Sequence, residues 1–228
     1  MVNEKIKKIL IFAPPRTGTT VIQKIIAQDL FKIPNLIEPF NNPELGFNPA
    51  NPKFIDGQAA DLYKWTSEQS VGVMKLLGIN LKYVDIDKLL LVGKFDRVVI
   101  IERKNLTDCC VSLCLAELTS KYHYSEGESI DIDSFECSVS FVDNWIEMYK
   151  KYLTGVKQIK NSNVLYDVIC YEDFMHDQVQ SIAGVPLQKS KMSDNLFGRK
   201  KLISLNLPYS DICVNYNEVE EKIRKELC

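Results

Sequence analysis

The sequence has no apolar run approaching the ~18 residues that a membrane-spanning helix requires. Its first residues, Met1 to Lys5, lead into a strand pattern and not into a signal-peptide core, so a cytoplasmic protein with no membrane span is expected. Neither sign of charge dominates. The 28 Lys and Arg stand against 30 Asp and Glu, for a net charge of -2. That balance argues against a nucleic-acid partner, which calls for a basic excess, and against a disordered acidic tail. The seven cysteines are odd in number and scattered, and Cys109, Cys110 and Cys114 follow helical spacing, not metal-ligand spacing. Neither a disulfide framework nor a metal site is therefore expected, and the thiols read as reduced core fillers. There is no internal repeat and no low-complexity tract.

What remains is an ordinary globular composition, 46% hydrophobic and 25% charged over 228 residues. A domain typically takes ~100 to 200 residues, so this length predicts a single domain over 1–228 with enough buried surface to need no staple. Lys8-Ile9-Leu10-Ile11-Phe12 reads as a strand that ends at Pro14-Pro15, followed by a helical period from Thr19 to Leu30. Further strands are predicted at Val71–Leu77 and Arg97–Arg103, apolar on both faces as strands of a covered parallel sheet are, and a fourth at Val164–Cys170. Helices are predicted at Ile86–Leu91, Asn105–Lys121, Ser134–Tyr152, Asp173–Ile182 and Glu218–Leu227. The alternation predicts an α/β domain with a central parallel sheet flanked by helices. Residues 39–57, rich in Asn, Pro and Gly, and the polar break 122–132 read as loops that cover a substrate.

Between the first strand and helix stands Ala13-Pro14-Pro15-Arg16-Thr17-Gly18-Thr19-Thr20. Free backbone N–H groups and the positive end of a helix dipole converge there, which suits an anion. Gly18 permits close backbone approach, Thr17, Thr19 and Thr20 offer hydroxyls, and Arg16 offers a planar fork to phosphate-like oxygens. The bland alternative is a plain turn whose threonines cap the helix. A nucleoside-triphosphatase loop, G-x-x-x-x-G-K-[ST], is argued against by Ala13 at its first glycine and Thr19 at its lysine.

Pro15-Arg16-Thr17-Gly18-Thr19-Thr20 resembles the 5′-phosphosulfate loop of the sulfotransferases, a family with a P-loop-like α/β fold. The family's second motif is a basic residue followed eight positions later by serine, both on the donor's 3′-phosphate. Arg103 or Lys104 with Ser112 matches it here. Asp108 and Ser112 lie one turn apart on a flank away from Leu106, Cys110 and Leu113, and Asn105 with Asp108 also reads as a helix-capping pair. Tyr171-Glu172-Asp173-Phe174 resembles the family's Tyr-Glu-Asp-Leu segment, whose tyrosine lies near the adenine. The basic run Gly198-Arg199-Lys200-Lys201 partly resembles an Arg-Lys-Gly segment that closes over the 3′-phosphate, though a solvated face is the commoner role for such a run.

The resemblance implies transfer of a sulfuryl group from 3′-phosphoadenosine 5′-phosphosulfate (PAPS) to a hydroxyl or amine of a small-molecule or glycan acceptor. The reaction is an in-line displacement that releases the diphosphate nucleotide (PAP), and no metal is implied. Such a site positions two reactants, removes the acceptor's proton and neutralises charge on the leaving phosphate. Arg16 and Lys75 are the expected charge stabilisers, and a lysine inside Val73-Met74-Lys75-Leu76-Leu77 is costly to bury without a partner. A snorkelling strand-edge lysine is the plain alternative. The small-molecule branch places a histidine two positions after this lysine, where this chain has Leu77. Leu36-Ile37-Glu38-Pro39-Phe40 resembles the Glu-Pro segment of carbohydrate and bacterial relatives, which makes Glu38 the expected general base and His123 a second choice. The competing functions are a PAPS- or PAP-binding module without catalysis and a divergent P-loop kinase.

Overall fold

The first apolar run folds as strand β1, Lys8–Ala13, every residue of which is buried. The computed structural model describes residues 6–36, 57–120, 132–176, 178–182, 184–187 and 208–227. The chain divides into two compact units, Met1–Glu102 with Lys151–Leu187 and Arg103–Lys150 with Gln188–Cys228.

In the first unit β1 is followed by helix α1, Thr19–Lys24, which continues as a π-helical stretch over Ile25–Phe31 and stops at left-handed Lys32. Helix α2 (Gly57–Glu68) leads to strand β2 (Gly72–Leu77), then a 3₁₀ turn, helix α3 (Ile86–Gly93) and strand β3 (Arg97–Glu102). All four strands are parallel in the order β2-β1-β3-β4, where β4 is Tyr166–Cys170. The expected α/β architecture, a central parallel sheet flanked by helices, is what the chain forms. Pro34 to Leu36 extends the sheet beyond β2, with Val73 N–H donating to Pro34 O at 2.9 Å and Leu36 N–H donating to Val73 O at 3.0 Å. From β1 the chain goes to β2 on one side and then crosses to β3 on the other. Open α/β sheets bind ligands outside the carboxyl ends of the strands where the order reverses, and that place is the end of β1.

The central strands are buried on both faces because their inner residues are apolar on both sides of the sheet. Ile9 to Ala13 and Val98 to Ile101 have no exposure. Helix α5, Val139–Asn161, begins in the second unit and ends in the first, where Tyr152 stacks on Phe12 and donates its hydroxyl to Ile101 O at 2.9 Å. This helix starts later and runs further than the predicted Ser134–Tyr152. Gly155 does not end it, because a Cβ there would stand 2.7 Å from Leu81 and 2.8 Å from Phe12. The glycine is a close-packing residue inside a helix, not a stop.

The predicted helix Asp173–Ile182 is corrected by the structure. Only the turn α6, Tyr171–Met175, is helical, and the chain then forms a two-stranded hairpin, β5 (Ser181–Ile182) with β6 (Val185–Pro186). Gly184 at φ +73° supplies the left-handed residue that such a turn needs.

The second unit contains helix α4 (Leu106–Thr119), the first half of α5, and helices α7 (Tyr209–Ile212) and α8 (Tyr216–Leu227). The loop before α5 pairs with the end of α7, Phe135 N–H donating to Ile212 O at 2.9 Å. Among the described residues no helix is long and apolar enough to cross a membrane.

Candidate functional site

The site is built at the carboxyl end of β1. Pro14 and Pro15, both buried, carry the chain out of the sheet, and left-handed residues follow at Arg16 (φ +62°) and Gly18 (φ +62°). Thr17 between them has no exposure, and its hydroxyl donates to Pro14 O at 2.8 Å. That bond closes the turn from within, so the Thr17 hydroxyl proton serves the loop itself. Thr19 is likewise buried, whereas Arg16, Gly18 and Thr20 are half-buried. The loop thus has an inner side of two threonines and an outer side made of Arg16, Gly18 and Thr20.

Gly18 is the N-cap of α1, with Val21 and Ile22 N–H reaching its carbonyl at 3.0 and 3.2 Å. No side chain caps this helix start. The threonines therefore do not act as helix caps, and the helix presents its first turn without a capping oxygen, the arrangement that favours an anion.

Two side chains from elsewhere in the sequence reach this loop. Lys75, paired in register with Ile11 in the sheet, is 8% exposed, and its ammonium donates to Thr20 Oγ1 at 3.3 Å. It does not snorkel away from the loop. Tyr171, the first residue after β4, lays its ring against Gly18, and a Cβ at that position would overlap Cε2 and stand 3.1 Å from Cδ2. Beside it, Cys170 Sγ donates to Glu172 Oε2 at 3.1 Å, and burial raises the Cys170 thiol above its usual range. Three segments far apart in sequence, residues 14–20, Lys75 and Tyr171, thus meet at one sheet edge.

One contributor escaped the sequence reading. Gln23 lies in α1 at 4% exposure, and its amide donates to Leu36 O at 2.7 Å and to Val73 O at 3.0 Å. Its signal is a polar residue inside Val21-Ile22-Gln23-Lys24-Ile25-Ile26, at a helix position that is buried.

Arg103, Lys104 and Ser112 belong to the second unit. Arg103 is half-buried, Lys104 is exposed, and Ser112 is 9% exposed on a helix buried continuously from Cys109 to Ala116. The flank away from Leu106, Cys110 and Leu113 is therefore not fully solvated, with Asp108 half-buried and Ser112 buried. Asn105 caps α4 as expected, its Oδ1 accepting from Asp108 N–H at 2.9 Å. Asp108 in turn accepts from the Tyr216 hydroxyl at 2.8 Å, and burial together with that carboxylate pushes the Tyr216 phenol up to about 12. Cys110, Cys114, Cys137 and Cys213 are free, buried thiols, and burial raises Cys110. Among the described residues no group of three or more His, Cys, Asp or Glu side chains is arranged to hold a metal ion. Glu38, His123 and Arg199 lie outside the described residues, as do both loop segments apart from Gly57, which opens α2, and Ile132.

Comparison with models of known families finds none that matches this chain, and comparison with curated proteins finds no significant relative.

Proposed function

We propose that the chain is a PAPS-dependent sulfotransferase whose donor sits with its 5′-phosphosulfate at residues 16–20. The observation that carries this reading is the contact of Lys75 with Thr20. A lysine more than nine-tenths buried in a strand is brought to the outer side of a glycine loop at the switch point of a parallel sheet. An anion bound at the loop would place an opposite charge beside this ammonium, which favours its binding there.

In this reading Arg16, Lys75 and the first N–H groups of α1 stabilise charge on the phosphate oxygen as the bond from sulfur to that oxygen breaks. Glu38 takes the acceptor's proton while the new bond from sulfur to the acceptor oxygen or nitrogen forms. Preorganised donors of this kind are each worth roughly 3 to 4 kcal/mol in a site closed to water. Tyr171 packs on the loop and offers its ring toward the nucleotide. Assignment of the 3′-phosphate to Arg103 or Lys104 with Ser112, and of Arg199 to its closure, rests on the sequence resemblance. The free thiols accord with a reducing, cytoplasmic setting.

Calorimetric titration with PAP, with 5′-AMP and with magnesium-ATP tests the proposal without knowledge of the acceptor. Tight binding that depends on the 3′-phosphate is expected. Absence of PAP binding, or preference for magnesium-ATP, would reject it.

A further inference from the structure

Helix α1 is fastened to strand β2 by two polar contacts that form a short ladder. Lys75 Nζ donates to Thr20 Oγ1 at 3.3 Å, and Gln23 Nε2 donates to Val73 O at 3.0 Å. Thr20 and Gln23 are three residues apart and share a helix face; Val73 and Lys75 are two apart and share a strand face. The second amide hydrogen of Gln23 goes to Leu36 O at 2.7 Å, so both donors of the buried amide are committed. One side chain thereby ties α1 to β2 and to the extended segment beside it. Leu36 is held from two more directions, by its N–H on Val73 O and by its side chain over Gly72, where a Cβ would stand 2.6 Å from Leu36 Cγ.

The Lys75 contact is already long for a hydrogen bond, and a slide of α1 by about half an ångström would take it outside bonding range. The Gln23 contact lies one helical turn further along and fixes that slide. We propose that Gln23 is a positioning residue. It sets the placement of α1 on β2 and so keeps Thr20 and the glycine loop within reach of Lys75. The proposal rests on the donor-site reading above, because it gives Gln23 its effect through the anion held between the loop and Lys75.

The test is a double-mutant cycle read by PAP calorimetry, with thermal unfolding followed on every variant. Gln23→Met keeps the volume and removes both donors; Lys75→Met removes the cation. Each single change is expected to weaken PAP binding roughly ten-fold, the scale of one misplaced charge-assisted hydrogen bond. The double variant is expected to bind within about two-fold of Lys75→Met, because Gln23 has nothing left to position. Gln23→Asn, which withdraws the amide by one methylene, goes through the same cycle so that a folding defect in one variant does not decide the result. Additive losses, or wild-type affinity in both Gln23 variants, would overturn the proposal while leaving the donor site standing. A wild-type protein that does not bind PAP would remove the donor-site reading and this inference with it.

Discussion

The ring of Tyr171 occupies the space into which a side chain at Gly18 would project. Gly18 also sits at φ +62°, in the left-handed region. Two independent demands therefore fall on one residue. An L-residue there carries a left-handed cost of roughly 1 to 2 kcal/mol, and overpacking adds about 1 to 3 kcal/mol. Gly18→Ala is expected to lower stability by about 2 to 5 kcal/mol in urea unfolding. In a Tyr171→Ala background the same change should cost only the backbone part, about 1 to 2 kcal/mol. Equal costs in both backgrounds would mean that the ring does not press on the loop.

Much of the sheet was legible because β1, β2 and β3 are apolar on both faces and the first helix follows a proline stop, whereas β4, with Asp167 inside it, is largely exposed. The same local signals identified the Asn105–Asp108 cap. What escaped depends on tertiary packing. The helix predicted to end at Tyr152 runs on through Gly155, whose missing side chain makes room for Phe12 and Leu81. Helix α2, Gly57–Glu68, was not predicted at all, since among its described side chains it buries Leu62, Tyr63 and Thr66, with Trp65 half-buried, in a run otherwise polar or small. The hairpin after α6 was hidden by an apolar spacing that suited a helix, although Gly184 marks the turn. At the site, motif spacing singled out the loop, Lys75 and Tyr171, but only the folded chain shows that Thr17 points inward and that Gln23 cross-links α1 to β2.

Glu38 carries the proposed proton transfer, and its replacement should separate chemistry from binding. Glu38→Gln keeps size and polarity and removes the basic oxygen. Once an acceptor is found, turnover should fall by roughly 10² to 10⁴ while PAP affinity stays within about two-fold. Turnover retained at the wild-type level would dismiss Glu38 as the base.

Tyr216 offers a pH test confined to the second unit. Its phenol rises from 10.0 to about 12, chiefly through burial and then through the hydrogen bond to Asp108. The folded state therefore holds this proton more tightly than the unfolded chain does. The associated stability is fully present below pH 10 and is lost as pH rises from about 10 to 12. Tyr216→Phe should cost about 1 to 2 kcal/mol at neutral pH, the worth of a hydrogen bond to a carboxylate. The difference between wild type and variant should shrink across that alkaline window. A difference that stays constant to pH 12 would show that the folded state does not hold the phenol proton more tightly than the unfolded chain.

Lys75 should show stability and binding moving in opposite directions. Lys75 is 8% exposed and its ammonium donates to the Thr20 hydroxyl, and burying an ammonium carries a desolvation cost that offsets what its contacts gain. Methionine fills a similar volume without that cost. Lys75→Met is expected to leave thermal stability unchanged or to raise it by about 1 kcal/mol, and to weaken PAP binding roughly ten-fold. A lysine kept for structure would give the reverse, a loss of about 2 kcal/mol or more in stability with PAP affinity untouched. That result would remove Lys75 from the donor site and leave Arg16 and the helix start as the only described charges facing the anion in this reading.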